Sequence, residues 1–303
     1  MNVLDRKIFS TMNTKAMAQM KLSINIAPSM SEESKSNFNY MKKIALALVC
    51  ILSMHQVSIA QATKNQNPWK DYAAITTLTA ATIAAFHYDQ SLSDEMSSWT
   101  EKSSFVNSLS SSLSTIGGGF CVAGFLTAYG ATGYLLKDTL MVTTSITGIT
   151  AFAVTGAVGA ILKHSFGRER PSVATRDGGF WHGPFAYFIP SKRNGKPLDS
   201  FVSFPSGHAI STFSVATVFA DAYKDTWVPY ASYSLAGLIT LSRITEHEHW
   251  PSDCIVGAVI GYSGAKIVER CMRKHSPYKL VPFLYSDGGG VAFIYTLNAQ
   301  SSN

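Results

Sequence analysis

The stretch from Ser242 to Asp253 concentrates side chains that could do chemistry: Ser-Arg-Ile-Thr-Glu-His-Glu-His-Trp-Pro-Ser-Asp. Uncharged apolar runs flank it, Val228 to Leu241 before and Cys254 to Ala265 after. It therefore reads as a tight turn between two buried helices, where Arg243, His249 and Asp253 are costly to place without a purpose. Pro251 suits the first turn of the second helix, because its missing N–H falls where no intrahelical partner exists. Asp253 then lies in that turn, four residues after His249. A carboxylate there can accept the imidazole N–H, set its tautomer and raise its basicity. Arg243 brings a permanent charge with a forked donor set suited to phosphate oxygens. Taken alone, a plain polar turn between helices explains the stretch equally well.

Two other stretches break the tie. Lys163 to Pro171 reads Lys-His-Ser-Phe-Gly-Arg-Glu-Arg-Pro and ends the apolar run Thr139 to Leu162. If that helix continues, Lys163 and Arg170 share a face; Pro171 helps end it. Pro205-Ser206-Gly207-His208 opens the apolar run Ala209 to Ala220. Backbone N–H groups of Ser206 and Gly207 at a helix N-terminus form a ready anion cradle. Each stretch is ordinary by itself. Together they set three cations, two histidines, a carboxylate and free amides at the ends of four apolar segments, which describes a phosphate site.

In these residues the chain resembles the type 2 phosphatidic acid phosphatase (PAP2) and vanadium haloperoxidase superfamily, which includes class A acid phosphatases. That family's signature is K-x6-R-P, then P-S-G-H, then S-R-x5-H-x3-D. The chain carries it in order as Lys163…Arg170-Pro171, Pro205-Ser206-Gly207-His208 and Ser242-Arg243…His249…Asp253. The likeness covers roughly Leu136 to Val268. It implies an all-α fold, a helical bundle of the PAP2/haloperoxidase type. It also implies that His249 attacks phosphorus and becomes a phosphohistidine, that Asp253 orients His249, and that His208 protonates the leaving oxygen. Lys163, Arg170, Ser206, Gly207 and Arg243 would hold the phosphoryl oxygens, with no metal and no cofactor. The chemistry is coherent with that assignment. Phosphoryl transfer is mainly positioning and stabilisation of charge on the equatorial oxygens, which three cations and helix-terminal amides supply. Neutral imidazole is a competent nucleophile near pH 7 and a second imidazole can serve as the acid. Clustered cations should lower a nearby histidine's pKa, with Asp253 opposing this at His249.

The chain's 303 residues allow one sizeable domain. Only 15% are charged, and many are Gly, Ala, Ser or Thr, which favours a membrane-embedded bundle. A mean hydropathy of +0.10 pulls back towards a soluble helical protein. The net charge of +6 suits an anionic substrate or membrane surface, and no basic stripe interleaved with aromatics points to nucleic acid. Cys50, Cys121, Cys254 and Cys271 lack metal-ligand spacing and read as small apolar filler, Cys50 within a signal segment.

In chain order, residues 1–40 read as a disordered or untranslated leader. Residues 41–62 form a signal peptide or N-terminal anchor: Met41-Lys42-Lys43, an apolar run to Met54, then Ser58, Ala60 and Ala62. Residues 63–275 form the phosphatase-like domain and 276–303 a C-terminal tail with a turn and a short β-like strand, Val291 to Leu297. Within the domain, Tyr72 to Tyr88 reads as a helix and Asp89 to Lys102 as a polar loop. Ser103 to Leu136 reads as one span interrupted at Gly117-Gly118-Gly119. After the Lys137-Asp138 turn, Thr139 to Leu162 is long enough to cross a bilayer. Ser172 to Phe204 is the long loop, carrying Arg176, Phe180, Trp181, Phe185, Tyr187, Phe188, Lys192, Arg193 and Lys196. It is expected to border the site and select the leaving group.

All three motif stretches must face one compartment. Parity allows this if Ser103 to Leu136 and Thr139 to Leu162 cross while Tyr72 to Tyr88 lies beside the membrane, or if the protein is soluble. The expectation is a phosphatase for phosphomonoesters or diphosphates of a lipid, in the bacterial inner membrane with a periplasm-facing site. Its partners would be the phosphorylated lipid or a small phosphoester, and membrane lipid, with no nucleic acid. The alternatives are a soluble periplasmic acid phosphatase of class A type, a vanadium haloperoxidase and a non-catalytic membrane protein. Glu169, Glu246 and Glu248 are expected to pair with nearby cations such as Arg168.

Overall fold

Seven helices follow one another from Pro68 to Lys274 in the computed structural model, which describes residues 68–184, 186, 197–274, 278–285 and 288–295. They are α1 (Pro68–Lys102), α2 (Ser104–Ile116), α3 (Gly119–Leu135), α4 (Thr139–Phe166), α5 (Gly207–Ala222), α6 (Val228–Thr245) and α7 (Pro251–Lys274). Two antiparallel strands close the described chain, β1 (Tyr278–Tyr285) and β2 (Gly288–Tyr295), with Tyr278 opposite Tyr295. The all-α expectation with a β-like tail holds, and the tail is a hairpin rather than one strand. The leader at 1–40, the signal segment at 41–62, and Phe185, Tyr187, Phe188, Lys192, Arg193 and Lys196 lie outside the described residues.

Three readings of the chain change. Asp89 to Lys102 is helix, not loop: α1 runs unbroken for 35 residues. Pro68 begins it and no Gly or Pro follows within it. Its charged residues other than Asp89 lie outward where their exposure is described, and Gln90 Nε2 donates to Asp94 at 3.0 Å, while Asp89 turns inward with Thr82, Ser93 and Ser97. Ser103 to Leu136 is two helices, bent by 58° where Gly117 and Gly118 break the run. Ser103 caps α2, its hydroxyl accepting from the Val106 N–H at 3.4 Å. Among the cysteines, Cys254 is buried whereas Cys121 and Cys271 are exposed thiols, so filler describes only the first.

α4 has well-formed ends. Asp138 caps it, accepting from the Leu140 and Met141 N–H groups at 2.9 and 3.0 Å. Gly167 stops it in the left-handed conformation, φ 59°, with its N–H on the Lys163 carbonyl at 3.1 Å. α5 packs against α4, α6 and α7, and the core gathers along it: Ile210 and Val218 on α5, Ala151 on α4, Val256 and Ala265 on α7. α7 approaches α5 backbone to backbone. A Cβ at Gly257 would stand 2.6 Å from the Ser206 carbonyl, and one at Gly261 2.4 Å from that of Ile210. That close approach brings the N-termini of both helices together, where the motif residues lie.

α4 is the one described helix long and apolar enough by itself to cross a membrane, and the bent pair α2–α3 passes the same test jointly.

Candidate active site

The first motif leaves its helix midway. Lys163 sits in the last turn of α4, its ammonium donating to the Val202 carbonyl at 2.5 Å. Arg170 lies beyond the helix in extended backbone, so the shared helical face does not form. Loop pairing brings it in instead: its N–H donates to the Ser200 carbonyl and its Nε to that of Asp199, both at 2.9 Å.

The second motif starts α5. Pro205 follows a cis peptide bond, and Ser206 is the N-cap, its hydroxyl accepting from the Ala209 N–H at 3.5 Å. The Ser206 N–H donates to the Asp253 carbonyl at 3.0 Å, tying this cap to the third motif. Gly207 opens the helix with an N–H that has no intrahelical acceptor. A Cβ on Gly207 would stand 3.5 Å from Lys163 Cε, so the ammonium stem runs past these amides. His208 points its Nε2 at the Ser114 carbonyl on α2, 3.2 Å away.

The third motif ends α6 and starts α7. Arg243 donates to the Ser114 hydroxyl and to Glu246, and its Nη2 lies 3.5 Å from Glu248. Its buried Nε has no acceptor among the described residues. Glu248 also pairs with Arg170. The glutamates thus do pair with cations, but Glu246 and Glu248 take the arginines of the site itself, not Arg168. Glu169 instead organises the following loop, accepting from the Thr175 N–H at 3.0 Å, the Phe180 N–H at 3.2 Å and His182 at 3.1 Å. Trp181 of that loop is buried core, packed over Arg168.

His249 is buried. Its Nδ1 lies 2.7 Å from the Ser203 carbonyl and 3.9 Å from Asp253 Oδ2. A carbonyl only accepts, so Nδ1 carries the proton and Nε2 keeps its lone pair. The near orienting group is therefore Ser203, with Asp253 one layer behind. Asp253 Oδ2 accepts from the Ser203 hydroxyl at 2.5 Å and the Trp250 N–H at 3.0 Å; Oδ1 accepts from Arg168 at 2.6 Å. Burial, then the charges of Lys163, Arg170, Arg243 and His208, hold His249 well below its usual range. Burial and Arg243 pull His208 down to about 4, with Lys163 and Arg170 adding to this and the Ser114 carbonyl opposing it.

Sequence reasoning missed Asp89, Ser114, Ser203 and the true partner of Arg168. A backbone carbonyl leaves no mark in residue type, and Asp89 looked like the first residue of a polar loop. Arg168 stood in plain view within the first motif, but its partner 85 residues on did not.

The model of the PAP2 superfamily matches residues 145–277, the part of the chain that holds all three motif stretches. Among curated relatives, the lipid A 1-phosphatase of Porphyromonas gingivalis is 39% identical over 61 residues, 20% of this chain and 14% of the relative. The probable diacylglycerol pyrophosphate phosphatase 1 of Schizosaccharomyces pombe is 30% identical over 158 residues, 46% and 57% respectively. The chain thus spans less than two thirds of either relative. Aquifex aeolicus LpxE aligns with a TM-score of 0.42 and 21% identity over 55% of this chain and 86% of its own. The PAP2-type phosphatidylglycerolphosphate phosphatase of Bacillus subtilis aligns with a TM-score of 0.47 and 16% identity over 66% and 96%.

Proposed function

We propose that the protein is a phosphatase that hydrolyses phosphomonoesters or diphosphates of a lipid through a phosphohistidine on His249. The observation that carries this reading is the His249 ring, buried with its Nδ1 proton committed to Ser203 and Lys163, Arg170 and Arg243 around it. His249 Nε2 attacks phosphorus as the bond to the leaving oxygen breaks. His208, whose Nε2–H is held by Ser114, delivers the proton to that oxygen from Nδ1. Lys163, Arg170, Arg243 and the Gly207 amide take up the equatorial charge, worth most in a site shielded from water, while the Ser206 N–H stays on the Asp253 carbonyl. The unpartnered Arg243 Nε finds an acceptor in a phosphoryl oxygen, and the incoming anion displaces Glu248 from Arg170. Water then attacks the phosphohistidine, with His208 now acting as base.

A lipid substrate is supported by one structural feature and by the names of the curated relatives. An apolar cavity of about 270 Å³ between α3, α5 and α6 is lined by Phe125, Val215, Phe219 and Leu235 among others. It reaches Ile239, one turn before Arg243, and Thr212, one turn after His208. In this reading α2–α3 and α4 cross the inner membrane, and the helix ends that carry the motifs face the periplasm.

The test is hydrolysis by the full chain in detergent of p-nitrophenyl phosphate, phosphatidic acid, diacylglycerol pyrophosphate and a lipid A phosphate. At least one lipid phosphate should be turned over faster than the soluble ester. His249→Ala should lose on the order of 10³-fold or more in kcat. A His249→Ala protein with wild-type activity would overturn the mechanism, and hydrolysis of the soluble ester alone would overturn the lipid assignment.

A further inference from the structure

Beneath the site lies a buried ionic cluster that the proposed chemistry has not used. The Arg168 guanidinium places all of its donors: Nε on the Gly178 carbonyl at 3.1 Å, and Nη1 on Ser252 Oγ at 2.7 Å and Asp253 Oδ1 at 2.6 Å. Its Nη2 reaches Asp89 Oδ2 and the Gly178 carbonyl, both at 2.6 Å. The rings of Phe86, Trp181 and Trp250 surround it with centroids 4.9 to 5.6 Å from the guanidinium carbon. Asp89 in turn accepts from the Ser252 N–H at 2.9 Å and its hydroxyl at 2.6 Å. Arg168, Asp89 and Asp253 are at most 1% exposed.

Two carboxylates share one guanidinium away from water; burial pushes the Asp89 pKa up, Arg168 and Ser252 oppose this, and with Asp89 ionised on those donors the cluster carries a net charge of −1. Burying charges in this way is poor value as a structural clasp, since apolar side chains of the same volume hold helices together at no such cost. The charge is useful where it points. Asp253 Oδ2 is 3.9 Å from His249 Nδ1, and the His249 ring becomes cationic once Nε2 bonds to phosphorus.

We infer that Asp89 and Arg168 are positioning residues for the proposed phosphoryl transfer. Arg168, held from behind by Asp89 on α1, fixes the Asp253 carboxylate and leaves the cluster one negative charge to set against the His249 imidazolium. The inference rests on the phosphatase reading and extends the working site to α1, outside the segment that matches the family. The groups acting on the His249 charge are then Lys163, Arg170, Arg243 and His208 on one side and Asp253 on the other. Facing Asp253 are Arg168, Asp89, the Ser203 hydroxyl and the Trp250 N–H.

The experiment uses the full chain in detergent with p-nitrophenyl phosphate. Asp89→Asn keeps the shape and removes the charge. It should lower kcat about tenfold or more, leave KM within about twofold, and move the acid limb of the kcat profile to lower pH, because the imidazolium loses its counter-charge. Asp89→Glu should recover part of kcat. A folded Asp89→Asn protein with wild-type kcat, or with a loss carried by KM, overturns the inference. Should Asp89→Asn fail to fold, Ser252→Ala cuts the hydroxyl links to Asp89 and Arg168 without changing charge. A lower kcat at constant KM then supports the inference and wild-type kcat overturns it. Wild-type protein inactive on every phosphoester would sink the functional reading as well, whereas an active wild type unmoved by these variants sinks this inference alone.

Discussion

His249 and His208 sit in one electrostatic field, yet the proposed mechanism asks opposite protonation states of them. Burial and four nearby cationic or cation-forming groups keep His249 neutral, which a nucleophile requires at pH 7. The same causes bring His208 down to about 4, so in the free enzyme the proposed acid is mostly unprotonated at neutral pH. Between pH 8 and 5 its protonated fraction grows about tenfold per pH unit as the pH falls. Since kcat/KM reports free-enzyme ionisations, it should rise on acidification across that window, and His208→Asn should flatten the profile. A wild-type profile that climbs towards pH 8 would remove His208 from the acid's role. A bound phosphate dianion raises both histidines' affinity for protons, so kcat should vary with pH less steeply than kcat/KM.

At the scale of elements, the break between α2 and α3 shapes the site from the side opposite the motifs. It sets the Ser114 carbonyl against His208 and the Ser114 hydroxyl against Arg243. The space there is tight: a Cβ on Gly117 would lie 2.2 Å from Ile239 Cγ2 and 3.2 Å from His208 Cδ2. Gly117→Ala should therefore cost about 1–3 kcal/mol of stability as Ile239 is forced aside, and kcat should drop with it. Gly124→Ala on α3 meets nothing within 4 Å and serves as the control, expected near wild type in thermal midpoint and activity. Equal behaviour of the two variants would show that the break is not a packed feature of the site. The glycine interruption was visible in the residues, but its meaning depended on what stood against it.

At the scale of the molecule, α2, α3, α4 and α6 turn large apolar side chains outward. Phe105, Phe120, Leu135, Ile161, Trp227 and Tyr230 are all more than 60% exposed, Phe120 almost wholly so at 98%. Single exposed hydrophobes are normal in water; a set of this size on neighbouring helices calls for an apolar surrounding. The protein should therefore sediment with membranes, stay there through an alkaline carbonate wash, and come into solution only with detergent. Recovery in the soluble fraction without detergent would restore the soluble acid phosphatase alternative.

The amino-acid sequence by itself determined the helical class, the three motif stretches and the helix ends that carry them. Those properties are local: capping residues such as Asp138, stops such as Gly167 and uncharged apolar runs act within a few residues. Only the tertiary structure decided which group meets His249 Nδ1, what pairs with Asp253 and where α1 enters that cluster. Those contacts join residues 46, 85 and 163 positions apart, through a backbone carbonyl, a guanidinium and a carboxylate whose roles follow from distance in space and burial, and neither is written in residue type or spacing.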